Sequence, residues 1–221
     1  MSYDLLFFDL DGTLTDPAHG LIEGFVYAFR KCGLPYSDKQ SLSKYIGPPL
    51  FEEWKREFSL TDEQTDRAVL TFREYYNVYG WWDNRVYDGV RQMLEELRAM
   101  GKRLFVATSK PEDTARRVLQ LFDLDGCFEY IGGADGHKTR DKKWEVLAYV
   151  MDKAGVTDAD GRSRCLMIGD RRFDKEGADI CGIDALGVTW GHGSRDELVE
   201  CGFAMMADAP SDLVRILGQD G

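Results

Sequence analysis

The chain has 221 residues, of which 43% are hydrophobic and 30% are charged, and its formal net charge is −11. This composition is typical of a folded globular protein, and the length fits one large domain or one domain with a smaller insert. The negative charge repels nucleic-acid backbones and anionic membranes, so neither is expected as a partner. Any phosphate that the protein handles must meet locally placed positive charge.

Three short apolar runs predict buried strands, and polar residues follow each of them. The runs are residues 5–8, 104–107 and 165–168, with weaker strand patterns near 130–131, 185–188 and 203–206. Helical patterns lie between the runs, so strand and helix alternate, which predicts an α/β fold with a parallel sheet. Open sheets of this kind bind ligands at the carboxyl ends of their strands, where the polar residues lie.

The segment from about residue 16 to residue 85 interrupts this alternation. It contains helical patterns near 21–29, 51–58 and 68–79 and no convincing strand. The sequence therefore predicts a small helical domain, 16–85, inserted after the first strand, while 1–15 and 86–221 form the other domain.

Asp9 and Asp11 follow the first strand, and their spacing lets both carboxylates point to one side of an extended chain. Cleavage of a phosphate ester needs an oxygen nucleophile and a proton donor, which one ionised and one protonated carboxyl group supply. Gly12 and Thr13 then turn the chain so that backbone N–H groups can meet phosphate oxygens. A turn with capping acids uses the same residue types, so this stretch alone leaves both interpretations open.

Residues 8–14 read Phe-Asp-Leu-Asp-Gly-Thr-Leu and resemble the first motif of the haloacid-dehalogenase-like superfamily. The phosphatases of that superfamily use the first aspartate as nucleophile, which implies Asp9 as nucleophile and Asp11 as general acid and base. The resemblance extends over nearly the whole chain. It implies a Rossmann-like catalytic core and identifies the helical insert as a cap domain.

The second and third motifs of the superfamily have matches further along the chain. Thr108 ends an apolar run and, with Ser109, is expected to hold a phosphate oxygen. A lysine is expected to neutralise the attacking carboxylate and the phosphate. The Glu-Val-Leu that follows selects Lys143 for this role, but the neighbouring Lys142 stays open.

The fourth motif matches Gly169-Asp170 with Asp174 beyond it. Hard oxygen ligands suit Mg²⁺, which usually takes only one or two carboxylates directly. The resemblance implies Mg²⁺ as cofactor, bound by Asp9, the backbone carbonyl of Asp11, Asp170 and Asp174, the last directly or through water. Phe173 stands where many relatives carry histidine, which leaves the effect of that change open.

The expected substrate is a small phosphorylated metabolite, with phosphoglycolate or a nucleoside monophosphate favoured. Residues 44–50 resemble the cap loop of phosphoglycolate phosphatase and bacterial 5′-nucleotidase-like members. Lys44, Gly47 and Arg30 are the candidate substrate contacts in the cap. The Gly-Pro-Pro of this loop can equally be a break between two helices.

Two other functions fit parts of this pattern. A phosphosugar mutase of the same superfamily keeps both aspartates, so the motifs alone leave it open. A phospho-aspartate signalling module, from a different class, would be near half this length and would lack the helical insert. The oligomeric state is open between monomer and homodimer.

The expected location is the cytoplasm. The N-terminus lacks a basic start, and no stretch approaches the length of a membrane-spanning helix. The five cysteines form an odd set without a CxxC pair, which indicates reduced thiols rather than disulfides or a zinc site.

Overall fold

A computed structural model of the protein describes residues 3–135 and 139–218. The chain divides into two compact units. The first unit comprises Met1–Asp16 and Val86–Gly221, and the second is Pro17–Arg85.

The first unit contains a sheet of six parallel strands. The strands are β1 Leu5–Phe8, β4 Arg103–Pro111, β5 Tyr130–Ala134, β6 Cys165–Gly169, β7 Asp184–Val188 and β8 Met205–Ala207, and two short strands, β2 Thr15–Asp16 and β3 Arg85–Val86, form a separate two-stranded sheet. The order in the large sheet is β5-β4-β1-β6-β7-β8, and every neighbouring pair is parallel. The predicted α/β fold with a parallel sheet is confirmed.

Helices alternate with these strands, as the sequence pattern predicts. In the first unit they are α4 Val90–Ala99, α5 Glu112–Leu121, α6 Lys143–Lys153, α7 Ala159–Ser163, α8 Arg172–Cys181, α9 Arg195–Glu200 and α10 Pro210–Gly218. In the second unit they are α1 Ala18–Cys32, α2 Leu50–Phe58 and α3 Asp62–Tyr75, with a 3₁₀ helix at Gln40–Tyr45 and a π-helical turn at Tyr76–Gly80. None of the helices among the described residues combines the length and the apolar character needed to cross a membrane.

The central strand β1 is buried along its whole length, which explains its continuous apolar run. Its register pairs Phe8 with Val106 of β4 on one side and with Ile168 of β6 on the other. The residues that follow these three positions therefore emerge at one edge of the sheet. This shared edge brings the separated sequence motifs together.

Strand β4 is longer than its apolar run predicts. It continues through Thr108 to Pro111, and its pairing with β5 shifts between Ala107 and Pro111. Ala107 pairs with Gly132 and Pro111 pairs with Ala134, so the three residues 108–110 of β4 lie opposite the single residue Gly133 of β5. Irregularities of this kind bend a strand and redirect its side chains.

The second unit has its own core, which is mostly aromatic. Trp54 of α2 is fully buried, and its ring lies edge-on to Phe25 and Phe29 of α1 at centroid distances of 5.8 and 5.0 Å. Tyr45 and Phe72 complete the ring of contacts around it. Large buried aromatic surfaces stabilise a small helical unit effectively, because they remove much apolar area from water.

We expect Trp54→Ala to lower the free energy of unfolding of the helical unit by about 3–5 kcal/mol, because a large cavity replaces the indole. Trp82→Ala serves as the control, since Trp82 lies in the same unit and is 54% exposed. That change is expected to cost less than about 0.5 kcal/mol. Urea unfolding followed by circular dichroism gives both values, and equal losses would show that Trp54 does not support this core.

Candidate active site

Three aspartates from separate parts of the sequence meet at the carboxyl edge of the sheet. Asp9 follows β1, Asp170 follows β6, and Asp174 lies in the first turn of α8. One oxygen from each carboxylate lies within 4.8 Å of the others, and the residues are only 7%, 0% and 1% exposed. Buried carboxylates this close repel one another, so the site requires compensating positive charge.

Lys143 supplies positive charge inside this cluster. Its Nζ lies 2.9 Å from Asp9 Oδ1 and 2.7 Å from Asp174 Oδ1, and it donates a hydrogen bond of 3.0 Å to the Ala107 carbonyl. Burial by itself lowers the pKa of Lys143, but the Asp174 and Asp9 carboxylates outweigh this effect and raise it. Lys143 therefore stays charged at neutral pH.

The start of α6 places the two neighbouring lysines in different surroundings. The Glu145 carboxylate accepts the N–H of Lys142 at 3.0 Å, and this caps the helix so that Lys143 is its first residue. Lys143 is buried beside Asp9, whereas Lys142 is exposed. The structure thus places Lys143, the residue selected from the sequence, in the aspartate cluster.

Asp170 carries a strongly perturbed carboxyl group. Burial raises its pKa to about 8, and the neighbouring Asp174 and Asp9 carboxylates contribute to the rise. The N–H of His192 donates to Oδ2 at 2.7 Å and partly opposes the shift. Burial also raises the pKa of Asp174, although Lys143 opposes it. These carboxyl groups therefore favour a bound proton or a bound cation.

The loop after β7 encloses Asp170 more tightly than the sequence suggests. A Cβ on Gly193 would overlap the Asp170 carbonyl oxygen, and one on Gly12, whose φ is +90°, would overlap the Asp170 carboxylate. The Trp190 indole N–H donates to the Thr13 carbonyl at 3.0 Å, which ties this loop to the first motif. Trp190 and Gly193 have no site role in the sequence motifs, because a glycine and a tryptophan carry no catalytic signature.

Asp11 lies outside the three-aspartate cluster and has a different partner. Its Oδ2 lies 2.6 Å from the Nζ of Lys110, and the two side chains are 14% and 3% exposed. Lys110 has no role among the four sequence motifs. The available signal was its place two residues after Thr108, which on an extended strand puts both side chains on one face.

The other phosphate-site candidates lie in the same part of the sheet. Thr108 is buried, and its Oγ1 accepts the Lys110 N–H at 3.2 Å, while Ser109 is half-buried. The N–H of Gly12 was expected to be available to a phosphate, but in the structure it is already in use. It donates instead to the Thr15 carbonyl at 2.8 Å, because the loop closes on itself as a tight turn.

The three cap candidates lie in the second unit. Lys44 is exposed, and its Nζ donates to Glu57 at 2.6 Å. Arg30 is exposed on α1. Gly47 has a φ of +98° and, with the two prolines after it, separates the 3₁₀ helix from α2.

Phe173, in the first unit, packs against its neighbour Arg172. The Cζ atom of Arg172 lies 4.7 Å from the centre of the Phe173 ring.

Residues 6–188 match a protein family described as haloacid dehalogenase-like hydrolase. The chain is 38% identical over 198 residues to a 5′-nucleotidase of Pseudomonas aeruginosa, which covers 90% of this chain and 88% of that protein. It is 39% identical over 195 residues to the tyrosine-protein kinase PtkA of Mycobacterium tuberculosis, covering 88% of this chain and 65% of the kinase. A crystal structure described as a predicted phosphatase from Clostridium acetobutylicum superposes with a TM-score of 0.93 at 32% identity, over 99% of this chain and 100% of that one.

The raised pKa of Asp170 predicts a pH-dependent cost to folding. The folded protein keeps a proton on Asp170 that the unfolded chain loses above about pH 4, so stability falls as the pH rises towards about 8. We expect Asp170→Asn to remove this dependence. In metal-free buffer at pH 8 it should raise the free energy of unfolding by about 1–3 kcal/mol, with little effect at pH 4.

Urea unfolding at several pH values measures this effect. Asp152→Asn is the matched control, because Asp152 is exposed on α6 and should leave the pH profile unchanged. If the Asp170→Asn protein lost stability with pH as steeply as the native chain, Asp170 would not be the group responsible.

Proposed function

We propose a mechanism, a cofactor and a substrate class for this chain, which belongs to the haloacid dehalogenase-like hydrolase family and is a phosphatase of that family. The family and the enzyme class expected from the four motifs are confirmed. That enzyme class does not agree with a phospho-aspartate signalling module.

Asp9 acts as the nucleophile. The observation that carries this proposal is the pairing of the buried Asp9 carboxylate with Lys143 at 2.9 Å, at the edge where Thr108 and Asp170 also lie. Lysine beside an attacking carboxylate offsets its repulsion from an anionic phosphate. An Asp9 oxygen attacks phosphorus, the ester P–O bond breaks, and Asp11 supplies a proton to the departing oxygen.

A second displacement regenerates the enzyme. Water attacks the phosphorus of the aspartyl phosphate, its proton passes to Asp11, and Asp9 leaves as a free carboxylate. Lys143 and Thr108 hold the phosphoryl oxygens through both steps. Using one acid twice in this way requires it to give a proton first and to accept one afterwards.

The aspartate cluster fits Mg²⁺. Asp9 Oδ1 and Asp174 Oδ1 are buried beside Lys143, at 2.9 and 2.7 Å from its Nζ, and one carboxylate oxygen each of Asp9, Asp170 and Asp174 lie within 4.8 Å of one another. Hard oxygen donors in this number suit Mg²⁺. Asp9, Asp170, Asp174 and the backbone carbonyl of Asp11 would hold the ion. When bound, Mg²⁺ supplies positive charge that stabilises the transferring phosphoryl group.

The substrate that we propose is a small phosphate ester, and a nucleoside monophosphate is favoured. The similarity to a protein named 5′-nucleotidase supports this choice, and the resemblance of residues 44–50 keeps 2-phosphoglycolate beside it. We assign the helical unit, through Lys44, Gly47 and Arg30, the role of a substrate-selecting cap. A cytoplasmic location and a small-molecule partner belong to the same proposal.

We expect Asp9→Asn to lower kcat/KM for p-nitrophenyl phosphate at least about 10³-fold, because the nucleophile is removed. EDTA should abolish phosphate release by the native enzyme, and Mg²⁺ should restore it. Asp152→Asn is the control that keeps full activity. Undiminished release by Asp9→Asn would refute the mechanism, and conversion of a sugar phosphate to its isomer without release would identify a mutase.

A second prediction concerns the cap. Lys44→Ala should raise KM for 2-phosphoglycolate roughly 2–5-fold, the effect of one exposed charge interaction, and should leave KM for p-nitrophenyl phosphate unaffected. Lys55→Ala is the matched control, because Lys55 is also an exposed lysine of this unit, paired at 2.6 Å with Asp62. Equal effects of the two substitutions would remove Lys44 from the substrate site.

A further inference from the structure

The buried ion pair between Lys110 and Asp11 involves a lysine that has no part in the proposed mechanism. We infer that Lys110 is a positioning residue that holds Asp11 to accept the water proton when phosphorylated Asp9 is hydrolysed. This inference rests on the proposed function, because it concerns the second displacement at the same site. It assigns a task to a lysine that the four motifs do not include.

The ion pair engages only one side of the Asp11 carboxylate. Lys110 Nζ lies 2.6 Å from Asp11 Oδ2. The other oxygen, Oδ1, is buried and accepts no hydrogen bond among the described residues. One oxygen is therefore fixed by a charge-assisted bond while the second stays available as an acceptor. A carboxyl group fixed at one oxygen loses most of its rotational freedom, as a preorganised catalytic base requires.

Lys110 is itself held by the strand that carries it. Its N–H donates to Thr108 Oγ1 at 3.2 Å, within the irregular part of β4 where the pairing with β5 shifts. The side chain is only 3% exposed, so its ammonium has little freedom to leave the carboxylate for solvent. Its position is thus set by the backbone and by burial together.

The chemistry favours the second displacement as the step that Lys110 supports. A carboxylate bound to an ammonium group presents its free oxygen as a proton acceptor. In that step the water oxygen attacks phosphorus, the bond from phosphorus to the Asp9 oxygen breaks, and the water proton passes to Asp11 Oδ1. Without Lys110, Asp11 can turn away, so phosphorylated Asp9 persists while its formation from an ester with a good leaving group continues.

The test uses Lys110→Met with p-nitrophenyl phosphate, whose leaving group needs no proton. We expect kcat to fall roughly 10–100-fold, which is part of the roughly 10²–10⁴-fold that a positioned acid or base contributes. Rapid mixing should show a burst of about one p-nitrophenolate per enzyme. Acid quenching followed by mass spectrometry should show one phosphoryl group on Asp9 during turnover. Lys110→Arg, which keeps the charge, should recover part of kcat.

A pair of further variants separates positioning from a structural effect. In an Asp11→Asn background, adding Lys110→Met should change turnover less than twofold, because Lys110 acts through Asp11. The asparagine of Asp11→Asn still offers Lys110 an amide oxygen, and the double variant removes both charges of the pair, so the comparison stands even where Lys110→Met alone does not fold. Lys102→Met is the control: Lys102 is a half-buried lysine 3.9 Å from Asp4, just before β4 begins, and its loss should leave the burst and kcat unchanged.

Several results would overturn the inference. One is unchanged kcat in Lys110→Met, and another is a raised KM without accumulation of phosphoenzyme, which would assign Lys110 to substrate binding. A further large loss in the Asp11→Asn background would show that Lys110 acts independently of Asp11. Failure of the native enzyme to release phosphate, or activity in Asp9→Asn, would instead refute the proposed function itself.

Discussion

The site depends on placing three carboxylates where water does not reach them. Asp9, Asp170 and Asp174 are buried with their oxygens within 4.8 Å, and Lys143 is the ammonium group that pairs with two of them. Because charges in a poorly solvated site interact strongly, the position of that lysine is tightly constrained. The capped start of α6 meets this constraint, since it fixes the backbone of Lys143 before the side chain reaches the cluster.

The same constraint explains why the surrounding backbone is so closely packed. The carboxyl ends of β1, β4 and β6 bring the aspartates and Thr108 to one edge, and the fully buried β1 allows that edge little movement. The glycines of the loops around Asp170 let backbone N–H groups approach its carboxylate. Burial raises the pKa of Asp170, and the N–H of His192 opposes that rise only in part.

The sequence predicts those parts of this arrangement that depend on local patterns. An apolar run that stops at an aspartate locates the ends of β1 and β6, and alternation of strands and helices predicts the parallel sheet. Lys110 could not be predicted in the same way. Its contact with Asp11 joins residues that are 99 positions apart in the sequence, which the pattern of a single strand does not encode. The closed turn that occupies the Gly12 N–H likewise depends on bonds within the folded loop.

The charges of the described site also connect its two ion pairs. Lys143 pairs with Asp9 and Asp174, and Lys110 pairs with Asp11, while Asp170 is held by backbone N–H groups. Four carboxylates with two ammonium groups leave two negative charges when every acid is ionised, which is the charge that one divalent cation offsets. An anionic phosphate would then approach a nearly neutral site instead of a strongly negative one. Lys110 and Lys143 contribute equally to this net charge, although Lys110 belongs to none of the four motifs.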